Sequence, residues 1–176
     1  MPFEGRKVAM LGLSQSVRYA ISALACLGEE DCGKVFVREL AKCADVPPAY
    51  LAKLFTRLVA AGIVDSKRGW KGGNRLARPP AEITLFEITE AIEERPWINR
   101  CLLGDTECSD NRACPTHAFW SATRAAIEHE LRRRTLADVM AFNAKRKKEL
   151  GEESPERVLA PTEPEQEREE LRYGSR

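Results

Sequence analysis

The first regular pattern in the chain begins at Ser14. In LSQSVRYAISALACLG, Val17, Ile21, Leu24 and Leu27 recur at the three-to-four spacing that gathers apolar side chains on one helix face. Ser14 stands ahead of them as a suitable N-cap. Residues 1–12 precede this pattern as a loose leader. In VFVRELAKCADVPPAYLAKLFTRLVAAGIV, Val37, Leu40 and Ala41 predict one short amphipathic helix and ADV a tight connection. Pro47 and Pro48 suit the beginning of a second helix, whose first turn has no use for the missing N–H. Leu51, Leu54, Phe55 and Leu58 supply that helix's buried stripe, and Gly62 is placed to end it. Two short helices joined by a tight turn outline a helix-turn-helix. Ala49, Tyr50, Lys53 and Arg57 lie off the stripe and are expected to face outward.

The period then changes. GIVDSKRGWKGGNRLARPP predicts a strand over Ile63–Ser66, a glycine-rich tip (Gly69, Gly72, Gly73) and a return strand ending before Pro79. A hairpin directly after an outward-facing helix is a wing. ITLFEITEAI follows, with Thr84 and Glu87 spaced as a capping box. After a loop rich in Gly, Asp, Asn and Pro, the stretch PTHAFWSATRAAIEHELRRR resumes helical spacing through Phe119, Ala122, Ala126 and Ile127, broadened by Trp120 and Leu131. One long helix of this kind leaves an apolar stripe exposed until a partner covers it, and a second copy is the expected partner. Thr135 and Asp138 are spaced to cap a last short helix, TLADVMAF. Residues 143–176 hold 8 Lys/Arg, 9 Asp/Glu and three prolines with few large apolar side chains, so a charged disordered tail is expected there. The predicted organisation is therefore 1–12 leader, 13–95 winged helix-turn-helix, 96–117 cysteine loop, 115–142 dimerisation helix region and 143–176 tail. The fold class is mainly α with a small β-hairpin wing.

Charge sharpens this picture. The net charge of +1 hides an asymmetry: residues 1–80 carry 13 Lys/Arg against 7 Asp/Glu, and residues 81–176 carry 15 against 20. Seven basic residues and the single acid Asp65 lie between Lys53 and Arg78. A basic helix and wing in succession suit a polyanion, and duplex DNA is the expected partner. Arg6 and Lys7 precede an apolar run, VAMLGL, too short for a secretory signal, and no stretch approaches the roughly 18 apolar residues of a membrane span. The sequence thus predicts a cytoplasmic protein without a membrane partner. Thiols stay reduced there, which disfavours a disulfide framework and leaves cysteines available as ligands. Cys26 and Cys43 fall on the predicted helices and read as small buried apolar residues. Cys32 sits in the turn EEDCGK with no ligand partner nearby.

The remaining three cysteines lie in CLLGDTECSDNRACPTH. Six residues separate Cys101 from Cys108, five separate Cys108 from Cys114, and two separate Cys114 from His117. Structural zinc sites usually carry cysteines in pairs two to four residues apart, which these intervals do not provide. Iron–sulfur clusters are larger and accept more widely spread thiolates, sometimes with His. Cys114 and His117, three apart where a helix begins, are placed to face one site, and that helix's N-terminus favours an anionic assembly. Spacing alone leaves iron–sulfur, zinc and coincidence open. His129 reads as solvated helix surface.

Taken in order, these segments resemble the Rrf2 family of winged-helix regulators, the group that includes the iron–sulfur regulator IscR and the nitric-oxide sensor NsrR. LSQSVRYAISAL is similar to the family's opening helix, VRELAKCADVPPAYLAKLFTRLVAAGIVDS to its helix-turn-helix and KRGWKGGNRLARPP to its wing. ITLFEITEAI, the three cysteines and HAFWSATRAAIEHELRRRTLADV complete a resemblance spanning roughly Leu13 to Phe142. It implies that Cys101, Cys108 and Cys114 ligate an iron–sulfur cluster, with His117 as the fourth ligand of a two-iron cluster in the manner of IscR; a four-iron cluster is the alternative. It implies DNA contact through Pro48, Ala49, Tyr50, Lys53 and Arg57, and through Lys67, Arg68, Gly69, Lys71, Gly72 and Gly73 of the wing. Arg18 stands where the NsrR branch has a ligating acid, Ala52 where IscR-type proteins have an acid that influences operator choice, and the first cysteine interval is one residue longer than in IscR.

The function so implied is that of a homodimeric DNA-binding regulator, a repressor of palindromic operators, controlled by a cluster that senses iron, redox or nitric-oxide status. A zinc-stabilised or metal-free repressor of the same fold is the alternative, and a small iron–sulfur redox carrier a remote one. An enzyme is not expected, since the chain offers no second cofactor motif, no phosphate-binding glycine loop before a helix and no acid–base pair.

Overall fold

The computed structural model describes residues 12–28, 35–67, 72–93, 99–103 and 107–150. Helix α1 (Gln15–Leu27) begins as its sequence predicts, with the Ser14 hydroxyl accepting from the Val17 N–H at 3.3 Å. Helices α2 (Val37–Cys43) and α3 (Pro48–Ala60) form the helix-turn-helix. Both end in the same way. Past α2, Asp45 takes a left-handed φ of 50° and the Val46 N–H returns to the Ala41 carbonyl. Past α3, Gly62 takes φ 69° and the Ile63 N–H returns to Leu58. Each turn satisfies orphan carbonyls and drops an apolar side chain, Val46 or Ile63, into the core.

Because Ile63 is used to close α3, the hairpin starts one residue later than predicted. Strand β1 (Val64–Lys67) pairs antiparallel with β2 (Gly73–Leu76), matching Val64 with Leu76 and Lys67 with Gly73. Asn74 also bridges to Val35, its buried side-chain amide donating to the Val35 carbonyl at 3.0 Å, so the wing is fastened to the segment leading into α2. Helix α4 (Leu85–Ile92) carries the expected capping box, Thr84 and Glu87 each satisfying the other's backbone N–H. Burial pushes the Glu87 carboxyl up, but hydrogen bonds from Thr84 and Arg78 together outweigh it and hold the group below the usual carboxylate range.

Helix α5 (His117–Arg133) and helix α6 (Leu136–Leu150) follow as the last helices of the described residues. The Thr135–Asp138 pair caps α6 as predicted. The helix runs eight residues past Phe142, where the sequence pattern stops it. Ala144, Lys145, Lys147, Lys148 and Glu149 are strong helix formers, and Lys145 pairs with Glu149 four residues on. The leader and the tail beyond Leu150 lie outside the described residues.

One core joins these elements. Leu24 of α1, Leu40 of α2, Leu51 and Leu58 of α3, Ile88 of α4 and Leu136 of α6 are all fully or almost fully buried. Leu136 matters because it belongs to the C-terminal half yet is buried in the core of the DNA-binding head, its N–H donating to the Ile83 carbonyl at 2.8 Å. Leu136→Ala should lower stability by about 3 kcal/mol through lost burial and the cavity it leaves. Gly62→Ala should cost about 1 kcal/mol through its positive φ. Urea unfolding at fixed protein concentration measures both.

Candidate nucleic-acid interface and cysteine loop

Helix α3 presents Pro48, Ala49 and Lys53 to solvent, as expected of a recognition helix. Tyr50 is exposed too, but its hydroxyl lies 2.6 Å from that of Ser16 and its ring meets Tyr19 edge-on, so α1 orients it. Arg57 departs from the expectation of an outward side chain. Its Nη1 donates to the Ile92 carbonyl at 2.6 Å, at the C-terminus of α4. A cation there meets both the unpaired carbonyl and the negative end of the helix. The apolar stripe does not reveal this, because Arg57 sits at its edge and its acceptor is 35 residues away.

The wing is less cationic than its composition suggests. Arg75 faces Asp65 across the hairpin and pairs with it at 2.8 Å. Arg78 turns back to the Glu87 carboxylate and the Glu82 carbonyl. Lys67 is exposed. Gly72 and Gly73 are buried, which removes these two expected contacts from the surface. At Gly73 the φ of 138° gives a separate reason for glycine. Arg68, Gly69 and Lys71 lie outside the described residues.

The cysteine loop begins close behind α4. The Cys108 N–H donates to the Asn99 carbonyl at 2.8 Å and Arg100 bridges to Glu107, so the first half of the loop folds back on itself. Trp120, the buried residue of α5, donates its indole N–H to the Arg100 carbonyl at 2.6 Å. This fastens the loop to α5. All three cysteines are half-buried and carry free thiols. His117 is the first residue of α5 and its N–H donates to the Cys114 carbonyl at 2.9 Å, but its ring pairs with other residues. Its Nδ1 lies 3.2 Å from the Cys108 sulfur and its Nε2 2.9 Å from the Asp110 carboxylate. An ionised carboxylate only accepts, so Nε2 is the donor to Asp110, and in the neutral imidazole Nδ1 is then the acceptor that faces Cys108. The Cys114 sulfur lies 3.3 Å from the Thr116 hydroxyl. Bonds from Thr116, with a smaller one from Cys101, lower the Cys114 thiol below its ordinary value. Asp110 and Thr116 are the residues that sequence reasoning missed, and the short 3-10 turn Asp110–Arg112 is what brings the first of them back to the histidine.

Of the four predicted ligands, Cys108 and His117 are in direct contact, and Cys101 contributes to lowering the Cys114 thiol. Among the described residues no three Cys, His, Asp or Glu side chains gather closely enough to hold one metal ion. Three thiols and an imidazole are suitable donors for a two-iron cluster. On donor chemistry the residues fit the binuclear group.

Two further departures concern Cys26 and Cys43. They are not separate apolar fillers but form a disulfide between α1 and α2, with Cα atoms 6.6 Å apart. They are 17 positions apart in sequence, and only the crossing of the two helices makes them neighbours. Cys32 lies outside the described residues. His129 is exposed, in keeping with solvated helix surface.

A helix-turn-helix followed by a fastened hairpin defines a winged-helix DNA-binding protein. The chain belongs to the Rrf2 family: the family model, described as an iron-dependent transcriptional regulator, matches residues 13–141. It is similar to an HTH-type transcriptional regulator of Aquifex aeolicus, 33% identical over 134 residues that cover 75% of this chain and 93% of that one. The HTH-type transcriptional regulator IscR of Photobacterium profundum is 31% identical over 133 residues, covering 74% and 76%. Among solved structures, CymR, the global cysteine regulator of B. subtilis, superposes with a TM-score of 0.63 at 26% identity, covering 76% of this chain and 98% of that chain. IscR of T. potens does so with 0.59 at 28%, covering 75% and 88%. The protein is a DNA-binding transcriptional regulator and not an enzyme. Among the described residues no helix is long and apolar enough to cross a membrane.

The division of the basic residues gives a prediction. Lys53→Ala and Lys67→Ala should each weaken duplex binding and reduce the slope of log affinity against log salt by about 1. Arg75→Ala should change that slope much less, because Asp65 already neutralises its charge. Fluorescence anisotropy across a salt series checks the contrast.

Proposed function

We propose that the protein is a homodimeric, cytoplasmic repressor of palindromic operators whose DNA affinity is set by an iron–sulfur cluster held by Cys101, Cys108, Cys114 and His117. The observation that carries this reading is the arrangement of the donors. Three half-buried thiols share one loop with His117, whose Nδ1 faces the Cys108 sulfur while its Nε2 faces the Asp110 carboxylate. A carboxylate on the far nitrogen is the usual support for a metal-bound histidine. IscR of T. potens and CymR share the fold, so the fold by itself does not choose between a cluster and another signal. The cysteine and histidine donors favour the cluster in this chain.

When bound, the cluster would supply a covalent tie between the loop and the first turn of α5, and a charge that changes with oxidation or nitrosylation. The chain's own residues carry the consequence. Trp120 holds the loop to α5 through the Arg100 carbonyl, and Arg132 lies over the Phe86 ring of α4 at 3.6 Å. Arg57 then ties the end of α4 to the recognition helix. A displacement of the loop is thus passed through packed elements to the spacing of two recognition helices, and a modest preference for one spacing changes operator occupancy severalfold. In this reading the dimer forms along α5, where Phe119 is 65% exposed and Ala122 and Ala126 continue its face. A second copy of α5 covers that face and sets the two recognition helices at the separation of adjacent half-sites.

Anaerobically isolated protein should be coloured, with visible absorbance and iron and acid-labile sulfide in the ratio of about one two-iron cluster per chain. His117→Ala should retain the three cysteines yet lose or alter that spectrum. A colourless protein with stoichiometric zinc would contradict the reading.

A further inference from the structure

We infer that Cys26 and Cys43 form a second redox site, a reversible thiol–disulfide pair that controls how firmly the first helix of the helix-turn-helix is held. Three observations place it. The two sulfurs are joined here, across the contact between α1 and α2. Their exposure is unequal: Cys26 is buried at 5%, whereas Cys43 is half-buried at the end of its helix. And α2 is short, seven residues of which only Leu40 and Ala41 are buried, so one covalent link is a large share of what attaches it. Cys43 is the last residue of α2, and the turn through Asp45 leads directly into the recognition helix α3. The pair shares no residue with the loop that holds Cys101, Cys108, Cys114 and His117.

The chemistry is ordinary exchange with a small-molecule disulfide. The Cys43 thiolate, the more accessible of the two, attacks one sulfur of the small disulfide and releases the first small thiol. The Cys26 thiol then loses its proton and attacks Cys43 Sγ, releasing the second. The pair gives up two electrons and two protons, and the small disulfide becomes two thiols. Reduction by excess small thiol reverses both steps. The oxidised form holds α2 in the orientation seen here before DNA arrives, so less ordering remains for binding to complete. In a reducing compartment the pair would be open at rest and would close only under oxidation.

The test uses the full-length chain with Cys101, Cys108 and Cys114 all changed to Ala, which removes the loop's sulfur ligands and separates this site from the cluster. Protein equilibrated in reduced or oxidised glutathione is trapped with iodoacetamide and mapped without reduction. A peptide joining Cys26 to Cys43 should appear in the oxidised sample and disappear in the reduced one. Hydrogen exchange at the Leu40 and Ala44 amides, both bonded within or just past α2, should be slower after oxidation. Cys43→Ser should abolish that difference while leaving α1 and α4 protected as in the parent. Affinity for a duplex selected by the oxidised protein from a random library should be severalfold tighter than after reduction. A linkage through Cys32 in place of this pair, α2 exchange that ignores the redox state, or equal or tighter duplex binding by the reduced form would overturn the proposal.

Discussion

The guanidinium of Arg57 on the carbonyl of Ile92 is the contact that ties the recognition helix to the end of α4. Helix α4 is eight residues long, too short to be stable by itself, and exists because each of its parts is held by something else. Thr84 and Glu87 cap its start, Ile88 and Ile92 bury its inner face, Arg132 covers Phe86 from α5, and Arg57 closes its end from α3. The cysteine loop begins a few residues later. A segment held so closely on one side cannot shift without carrying the recognition helix or losing the charged contact at its C-terminus. Packed interiors pass on displacement because they have little free volume to absorb it.

This arrangement also explains how one head serves different signals. The helix-turn-helix and wing depend on a core shared by α1–α4 and Leu136, none of which belongs to the cysteine loop. Among the described residues the loop is fastened to α5 through Arg100 and Trp120, and it leads directly into the first turn of that helix. Its sulfur and nitrogen donors can therefore diverge while the DNA-binding head stays intact. The likeness to both CymR and IscR is what such a division of labour leads one to expect. The Cys26–Cys43 pair joins α1 to α2 and shares no residue with that loop.

Most of the architecture is legible in the sequence because it is written in local signals. Helical spacing, Ser14, the Thr84–Glu87 and Thr135–Asp138 boxes and Gly62 each act within a few residues of themselves, and each marks a boundary found in the fold. What is not legible depends on residues far apart in the chain. The Cys26–Cys43 bond needs a helix crossing, the Arg57–Ile92 bond a tertiary neighbour, and the Asp65–Arg75 pair a hairpin register that turns a count of positive charges into a smaller field. The cysteine loop falls between these cases. Its donors are recognisable as a set, but which sulfur faces His117 is decided by the turn at Asp110–Arg112 and not by the interval from Cys114. Helix α6 is a further example: composition marks residues 143–150 as tail, while helix propensity and an ion pair extend the helix through them.

The central claim is that the state of the loop is coupled to the spacing of the recognition helices. The direct measurement is the operator affinity of one anaerobic sample, at fixed salt, before and after its cluster is removed under reducing conditions. Coupling through α4 and Arg57 predicts a severalfold or greater change between the two forms. Equal affinities in the two forms, with the dimer and the fold intact, would contradict it.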